Sequence, residues 1–310
     1  MDGANASIDV ICGPTAAGKS AIVAWLAARY PIAVISADSR QIYRGFDVGT
    51  AKPTAAERAA VPHFGIDIVD PDVRYSASAW AEAATGWIAQ ARALDRIPVV
   101  VGGTGFYIRA LVEPLFKEPP LDPERRGRLA DELASMSTAE LRRWGVALDP
   151  SRASLGRTQL LRAIEVALLT GKRLSDLHRD AARAGGMTAR YLLVDPGAAL
   201  ASRIERRTQT MIDNGWIDET RRLAESVAWN APAWNAAGYR EIRRVADGLG
   251  TIEQAIERVV ISTRQYAKRQ RTWFRNQLPA DAVLTANPDD PRFTDIVSVW
   301  WALREGERAA

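Results

Sequence analysis

Cysteine is almost missing from this chain. Cys12 is the only one in 310 residues, which excludes an intramolecular disulfide framework. His63 and His178 are the only histidines, so a zinc cluster built from Cys and His is excluded as well. Cys12 itself reads as a small apolar residue at a strand end. No apolar run approaches the roughly 18 to 20 residues of a membrane span. The opening MDGANASIDV lacks a basic segment followed by an apolar one, so no secretory signal is expected. Repeats and low-complexity tracts are also missing. Charge of one sign is barely in excess: 41 Lys and Arg against 37 Asp and Glu leave +4. That sum does not mark a nucleic-acid binder, because placement matters more than total. A cytoplasmic protein without a membrane partner is the expectation, acting as a monomer.

What is present is ordinary for a globular chain: 47% hydrophobic and 25% charged residues. The length suggests two domains. Residues 8–12 form an apolar run ending in glycine, suited to a buried parallel strand. A glycine-rich turn follows, then residues 20–30 carry Ile22, Val23, Leu26 and Ala27 at helical spacing. Further strands are expected at 33–36, 65–69 and 98–101, with an alanine-rich helix over 78–94 capped by Ser78. Strand and helix alternation implies an α/β fold, a P-loop parallel sheet with helices on both faces. From 116 to 190 the chain turns Leu-, Ala- and Arg-rich with no clear strand, entered through Pro114, Pro119, Pro120 and Pro123 and left through Gly185-Gly186. It reads as a helical insertion domain inside a core of 1–115 and 191–285. A return strand at 191–194 and helices over 199–214 and 251–276 follow, and 286–310 is left as a tail.

Residues 13–20 read GPTAAGKS, a full match to G-x-x-x-x-G-K-[ST] between an expected strand and an expected helix. Each residue type has a reason. Gly13 and Gly18 let the backbone curl through Pro14, Thr15, Ala16 and Ala17 so that its N–H groups converge on phosphate oxygens. Lys19 adds a positive charge, Ser20 offers a hydroxyl to Mg²⁺, and the helix N-terminus adds a favourable dipole. The motif indicates a di- or triphosphate without saying which. On this block alone a small-molecule kinase remains open.

A second signal lies near the end. Residues 258–275 hold six Lys or Arg (Arg258, Arg264, Lys268, Arg269, Arg271, Arg275) and no acid, with Tyr266, Trp273 and Phe274 interleaved. Self-repulsion on such a helix implies a polyanionic partner. Arg125, Arg126 and Arg128 offer further phosphate contacts.

Taken in order, GPTAAGKS, SADSRQIYRGFDVGTAKP (36–53), VVVGGTGFYIRAL (99–111), QLLRAIEVALLTGK (159–172), RIERRTQTMIDNG (203–215), AAGYREI (236–242) and TRQYAKRQRTWFRN (263–276) resemble the tRNA dimethylallyltransferase family. The resemblance covers about residues 8–277. It departs at Ala237, where the family usually has Ile or Val, and in the Trp-rich segment 228–234. The long zinc-finger tail of some eukaryotic members is also missing.

The resemblance implies transfer of a dimethylallyl group from its diphosphate to the N6 amine of the adenosine 3′ to the tRNA anticodon. Such a reaction needs Mg²⁺ but no ATP. By the resemblance, Asp38 meets the adenine amine as general base, Thr104 sits at the reacting centre, and Arg207 faces the diphosphate. Ser39, Arg40 and Gln41 accompany Asp38 toward tRNA. Gln159, Leu160, Leu161, Arg162 and Ala163, together with Asn235, Gly238, Tyr239 and Arg240, align with segments used against the anticodon loop. Lys268, Arg269, Gln270, Arg271 and Arg275 complete the expected RNA surface, with Arg126. Two alternatives stay open: a transferase acting on free adenine nucleotide, and an RNA-binding protein without prenyl chemistry.

Overall fold

A computed structural model describes residues 7–113, 122–182 and 187–309. The expected turn signals at 114, 119, 120, 185 and 186 lie outside the described residues. In chain order the elements are β1 (Ile8–Cys12), α1 (Lys19–Ala27), β2 (Ile32–Ser36), α2 (Ala55–Ala60), β3 (His63–Phe64), α3 (Ala77–Ala93), β4 (Ile97–Gly102) and α4 (Gly105–Val112). Then come α5 (Pro123–Ser135), α6 (Thr138–Leu148), α7 (Arg157–Thr170) and α8 (Leu174–Ala182). The chain continues through β5 (Ala189–Val194), α9 (Leu200–Asp213), α10 (Trp216–Ser226), α11 (Tyr239–Ala246), α12 (Ile252–Gln277), β6 (Val283–Ala286) and α13 (Phe293–Ala309).

The strands form one parallel sheet of order β3-β2-β4-β1-β5-β6. Parallel strands covered on both faces are largely apolar, and every residue of β1 and β2 is buried, the polar Asp9 and Ser36 included. Cys12 ends β1 fully buried, and burial pushes its thiol pKa up to about 12, so it is an unreactive core residue. Two compact units result: residues 1–112 with 187–310, and residues 113–186. The second is helical, packed around Leu133, Leu141, Leu160 and Ile164, with Ala163, Val166 and Leu174 in an adjoining cluster.

Three local expectations are corrected. The cap of α3 is Ser76, whose hydroxyl accepts from Ala79 N at 3.0 Å, and Ser78 lies inside the first turn. The strand expected at 65–69 is displaced to His63–Phe64. Gly65 (φ 79°) and Asp67 (φ 56°) leave the extended region, and Val69 regains only an isolated bridge to Tyr43. Residues 283–309, where the sequence pattern indicates no element, supply the edge strand β6 and the helix α13.

Helix α13 buries Val297, Trp300 and Trp301 against a cluster that includes Val23, Leu26 and Ile32, and Tyr30 lies 5.1 Å from the Trp301 ring. An ion cluster fastens it. Asp9 in β1 is 4% exposed; it pairs with Arg190 of β5 at 2.5 Å and with Arg304 of α13 at 3.0 Å. The same Arg190 donates to Trp300 O at 3.2 Å. Removing one member of a buried ion group strands the others in low dielectric. Asp9→Ala should therefore lower stability by about 3 kcal/mol, read as a lower denaturant midpoint at unchanged slope. A midpoint within error of wild type would mean that the two arginines reach water when the carboxylate is removed.

Candidate active site at the carboxyl ends of the strands

In an open parallel sheet, ligands bind beyond the carboxyl ends of the strands, where the strand order reverses. Here β1 is that point, flanked by β4 and β5. The segments leaving β1, β2 and β4 all contribute to a cavity of about 970 Å³.

After β1 the loop 13–18 turns through Gly13 (φ 148°), Ala16 (φ 62°) and Gly18 (φ 99°). A Cβ on Gly13 would lie 2.2 Å from Val194 O, so the loop must be glycine there on grounds of space as well as φ. Lys19 and Ser20 open α1, where backbone N–H groups have no intrahelical acceptor. The Lys19 ammonium donates to Gly13 O (2.9 Å) and Pro14 O (2.8 Å), spanning the loop mouth. Burial, and after it the Arg207 cation, lower its pKa to about 8, against an opposing pull from Asp38. Arg207 projects from α9, lines the same cavity, and reaches Thr50 O at 3.5 Å. Burial lowers its pKa while Asp38 raises it, and a guanidinium remains charged throughout.

After β2, Asp38 is half-buried on the cavity wall. One carboxylate oxygen accepts from Arg40 N at 2.8 Å, which sets the turn. The side chain is thus both a turn former and a cavity acid. Thr104 follows β4. Its hydroxyl accepts from Ser39 N (3.0 Å) and donates to Ser39 Oγ (3.3 Å), locking the β4 exit onto the Asp38 turn. Gln41 is a scaffold residue: Ser36 Oγ donates to its Oε1 at 3.2 Å, and its Nε2 donates to Thr50 O and Ala51 O.

The basic helix α12 is sorted by face. Val259, Ser262, Thr263, Tyr266, Arg269 and Gln270 turn to the cavity, while Ala255, Ala267 and Phe274 pack inward. Tyr266 was missed as a site residue, although its spacing from Thr263 and Gln270 at helical period was a usable signal. Burial pushes its phenol up to about 12, so it acts as a neutral hydroxyl.

Several expected RNA contacts are corrected by burial. Gln270 is 7% exposed; its amide accepts from Thr15 N at 2.9 Å and donates to Gly103 O at 2.8 Å. Both of its polar atoms are engaged in holding the glycine-rich loop to the β4 exit. Arg271 is tied to Asp195 and Gly197 O. Tyr239 is fully buried and donates to Glu219 at 2.6 Å. Gly238 (φ 91°) is buried against Trp216, whose Cη2 a Cβ would meet at 2.4 Å. In the helical unit, Leu160 and Ala163 are core residues. Arg126 and Arg162 share Glu165, at 2.5 and 2.7 Å, and so present less charge than expected. Leu161 is half-buried, and Gln159 is exposed with its amide on Gly156 N at 3.3 Å. Asn235 and Arg240 are exposed, joined at 2.8 Å on the cavity rim. Lys268, Arg269 and Arg275 are exposed as expected.

A family model described as IPP transferase matches residues 41–277. The chain belongs to the IPP transferase family. A second model, isopentenyl transferase, matches residues 6–62. A tRNA dimethylallyltransferase from Roseiflexus sp. (strain RS-1) is 40% identical over 284 residues, covering 88% of this chain and 92% of that protein. The crystal structure of the full-length tRNA isopentenylpyrophosphate transferase from Bacillus halodurans gives a TM-score of 0.68 at 32% identity, covering 98% of each chain. A structure of a eukaryotic dimethylallyltransferase acting on tRNA gives 0.78 at 25% identity, covering 96% of this chain and 77% of that one. The resemblance drawn from the sequence blocks and the α/β fold both stand.

One support of this IPP transferase cavity carried no sequence signal. Glu219 on α10 is 4% exposed and accepts from Asp47 N (3.0 Å), Val48 N (2.7 Å), Gly49 N (3.4 Å) and Tyr239 Oη (2.6 Å). Burial and this carboxylate raise the Tyr239 phenol well above its ordinary value, which keeps it a donor. The loop so held places Gly49, Thr50 and Ala51 on the cavity wall. An amide at 219 would turn N–H groups toward N–H groups. Glu219→Gln should cost about 2 kcal/mol and speed hydrogen exchange at Val48 and Gly49. Unaltered exchange at those amides would refute this anchoring role.

Proposed function

We propose that this protein transfers the dimethylallyl group of dimethylallyl diphosphate to the N6 amine of the adenosine 3′ to the tRNA anticodon, releasing diphosphate. What supports this most is that the phosphate loop, Asp38 and the Arg269 face of α12 border one cavity. A diphosphate, an acceptor base and a polyanion can therefore meet there.

In the reaction the adenine N6 forms a bond to the allylic carbon, the carbon–oxygen bond to diphosphate breaks, and one N6 proton leaves. Asp38 is a carboxylate on the wall, beside the loop 13–18, able to accept that proton. Its hydrogen bond from Arg40 N fixes the carboxylate, and the Thr104 hydroxyl holds the turn beneath it. Negative charge grows on the diphosphate as the bond breaks. Lys19, the N–H groups opening α1, and Arg207 meet it without reorganising. Among the described residues no three acidic, His or Cys side chains cluster as a metal cage. The donor set fits Mg²⁺ carried largely by phosphate oxygens and water, with the Ser20 hydroxyl as the protein's ligand. When bound, the ion neutralises leaving-group charge. A flipped adenine suits the site, since chemistry on a base requires taking it out of the stack.

The direct test is incubation of the protein with unmodified tRNA, Mg²⁺ and dimethylallyl diphosphate in nucleotide-free buffer, followed by mass analysis of nucleosides. The expected product is prenylated adenosine. An absolute requirement for ATP hydrolysis would overturn the reading. Asp38→Asn should lower the single-turnover rate by about 10²-fold or more while leaving tRNA affinity within a few-fold.

The lowered Lys19 pKa gives a second test. With a pKa near 8, Lys19 is largely neutral at pH 9, and an anionic diphosphate favours the ammonium form. Binding of dimethylallyl diphosphate should take up about half a proton at pH 8 and close to one near pH 9, falling toward none through this group below pH 7. Calorimetry at pH 9 in buffers of different ionisation enthalpy measures the uptake. Lys19→Met should abolish it. Uptake that persists in Lys19→Met would assign the proton elsewhere.

A further inference from the structure

The loop between α10 and α11 carries two tryptophans with opposite fates. Trp234 is fully buried, edge-on to Phe46 at 5.1 Å, and its backbone neighbours Asn235 and Ala236 border the cavity. Trp229 is 51% exposed. Scattered exposed apolar residues need no explanation, but this one is held in place. Ala228 O accepts from Ala231 N (2.9 Å), closing the turn on which Trp229 sits. The same oxygen accepts from the Trp234 indole N–H (3.0 Å), pinning the turn to the core.

The guanidinium of Arg243 lies 4.6 Å from the Trp229 ring and 4.5 Å from the Trp234 ring. Its side chain is 12% exposed, and its Nε and Nη1 have no hydrogen-bond partner. The nearest carboxylate, Asp247, stands 3.9 Å from Nε. Arg243 is therefore committed to the two indoles by cation–π contact rather than to an acid. The result is a rigid indole, braced by a cation on one side, with more than half its surface in water. Through Arg243 it is one guanidinium away from Trp234, which lines the cavity with the exposed Asn235 and Arg240, and α11 carries the exposed Arg244 as well.

We propose that Trp229 is a stacking platform for an unpaired RNA base next to the adenine that enters the cavity. The inference rests on the tRNA reading above and adds a subsite to it. An aromatic face accepts any base, and surrounding cations favour the adjacent phosphates. The braced ring needs no ordering on binding, so the stacking contact is retained in full.

The test uses the full chain and a fluorescently labelled, unmodified anticodon stem-loop, with affinity measured by anisotropy at several salt concentrations. Trp229→Ala should weaken binding roughly 5- to 100-fold, the range for one lost base stack. Because no charge is removed, the slope of log affinity against log salt should stay at the wild-type value. Lys268→Ala is the contrast, with a flatter slope. Trp229→Phe should recover most of the affinity, and the KM for dimethylallyl diphosphate should not change in either variant. Melting of each variant by circular dichroism separates loss of stacking from loss of fold. If wild type prenylates the RNA and Trp229→Ala binds it as tightly, the platform is refuted and the proposed activity survives. A weakening that also flattens the salt slope, or that Phe does not relieve, refutes it too. If wild type neither binds nor prenylates the RNA, both proposals fall together.

Discussion

A single buried amide joins the parts of this molecule that must act together. Gln270 of α12 accepts from the phosphate loop at Thr15 N and donates to Gly103 O, behind the β4 exit that carries Thr104. A Cβ at Gly103 would stand 2.4 Å from the Gln270 nitrogen, so the contact depends on glycine there. Three segments far apart in the chain are thereby set at fixed spacing. The glycine-rich loop, the β4 exit that steadies the Asp38 turn, and the basic helix cannot shift independently. Buried polar groups of this kind are costly unless fully bonded, and both ends of the Gln270 amide are.

The carboxylate of Glu219 does for the outer wall what Gln270 does for the inner one. It gathers three backbone N–H groups and a phenol, fixing residues 47–49 and with them the Gly49–Ala51 edge of the cavity. Positive groups then line the phosphate side, with Lys19, Arg203 and Arg207 on the same wall. Burial first and the Arg207 cation second lower the Lys19 pKa, and an anion there would relieve both.

That the glycine-rich loop, Asp38 and Thr104 follow the carboxyl ends of strands was legible, because strand and turn patterns are local. A strand, a turn and a helix N-terminus follow one another without interruption, and the residue types have few other uses. Gln270, Tyr239 and Leu160 were misread because matching a functional segment does not reveal which way each side chain points. Periodicity against a known core would have turned all three inward. The charge on α12 was overread for a related reason. Glu205 and Asp195, distant in sequence, pair with Arg264 and Arg271, whereas Lys268 and Arg275 keep their exposure. Residues 283–309 were opaque, since a short edge strand and a helix capped by no clear signal owe their order to tertiary contacts, among them the ion cluster at Asp9.

The strand order has a kinetic side. In β1, Asp9 lies in register with Val99 on one side and Arg190 on the other. The central strand is thus made early in synthesis and completed late, after most of the chain has appeared. Each pairing closes a long loop before any contact rewards it, which slows assembly of parallel sheets. Gly13 packs on Val194 O, so the phosphate loop acquires its shape only when β5 arrives. Until then the nascent chain carries the GPTAAGKS residues without the cradle. The loop's shape is accordingly a property of the finished sheet and of no shorter fragment of it.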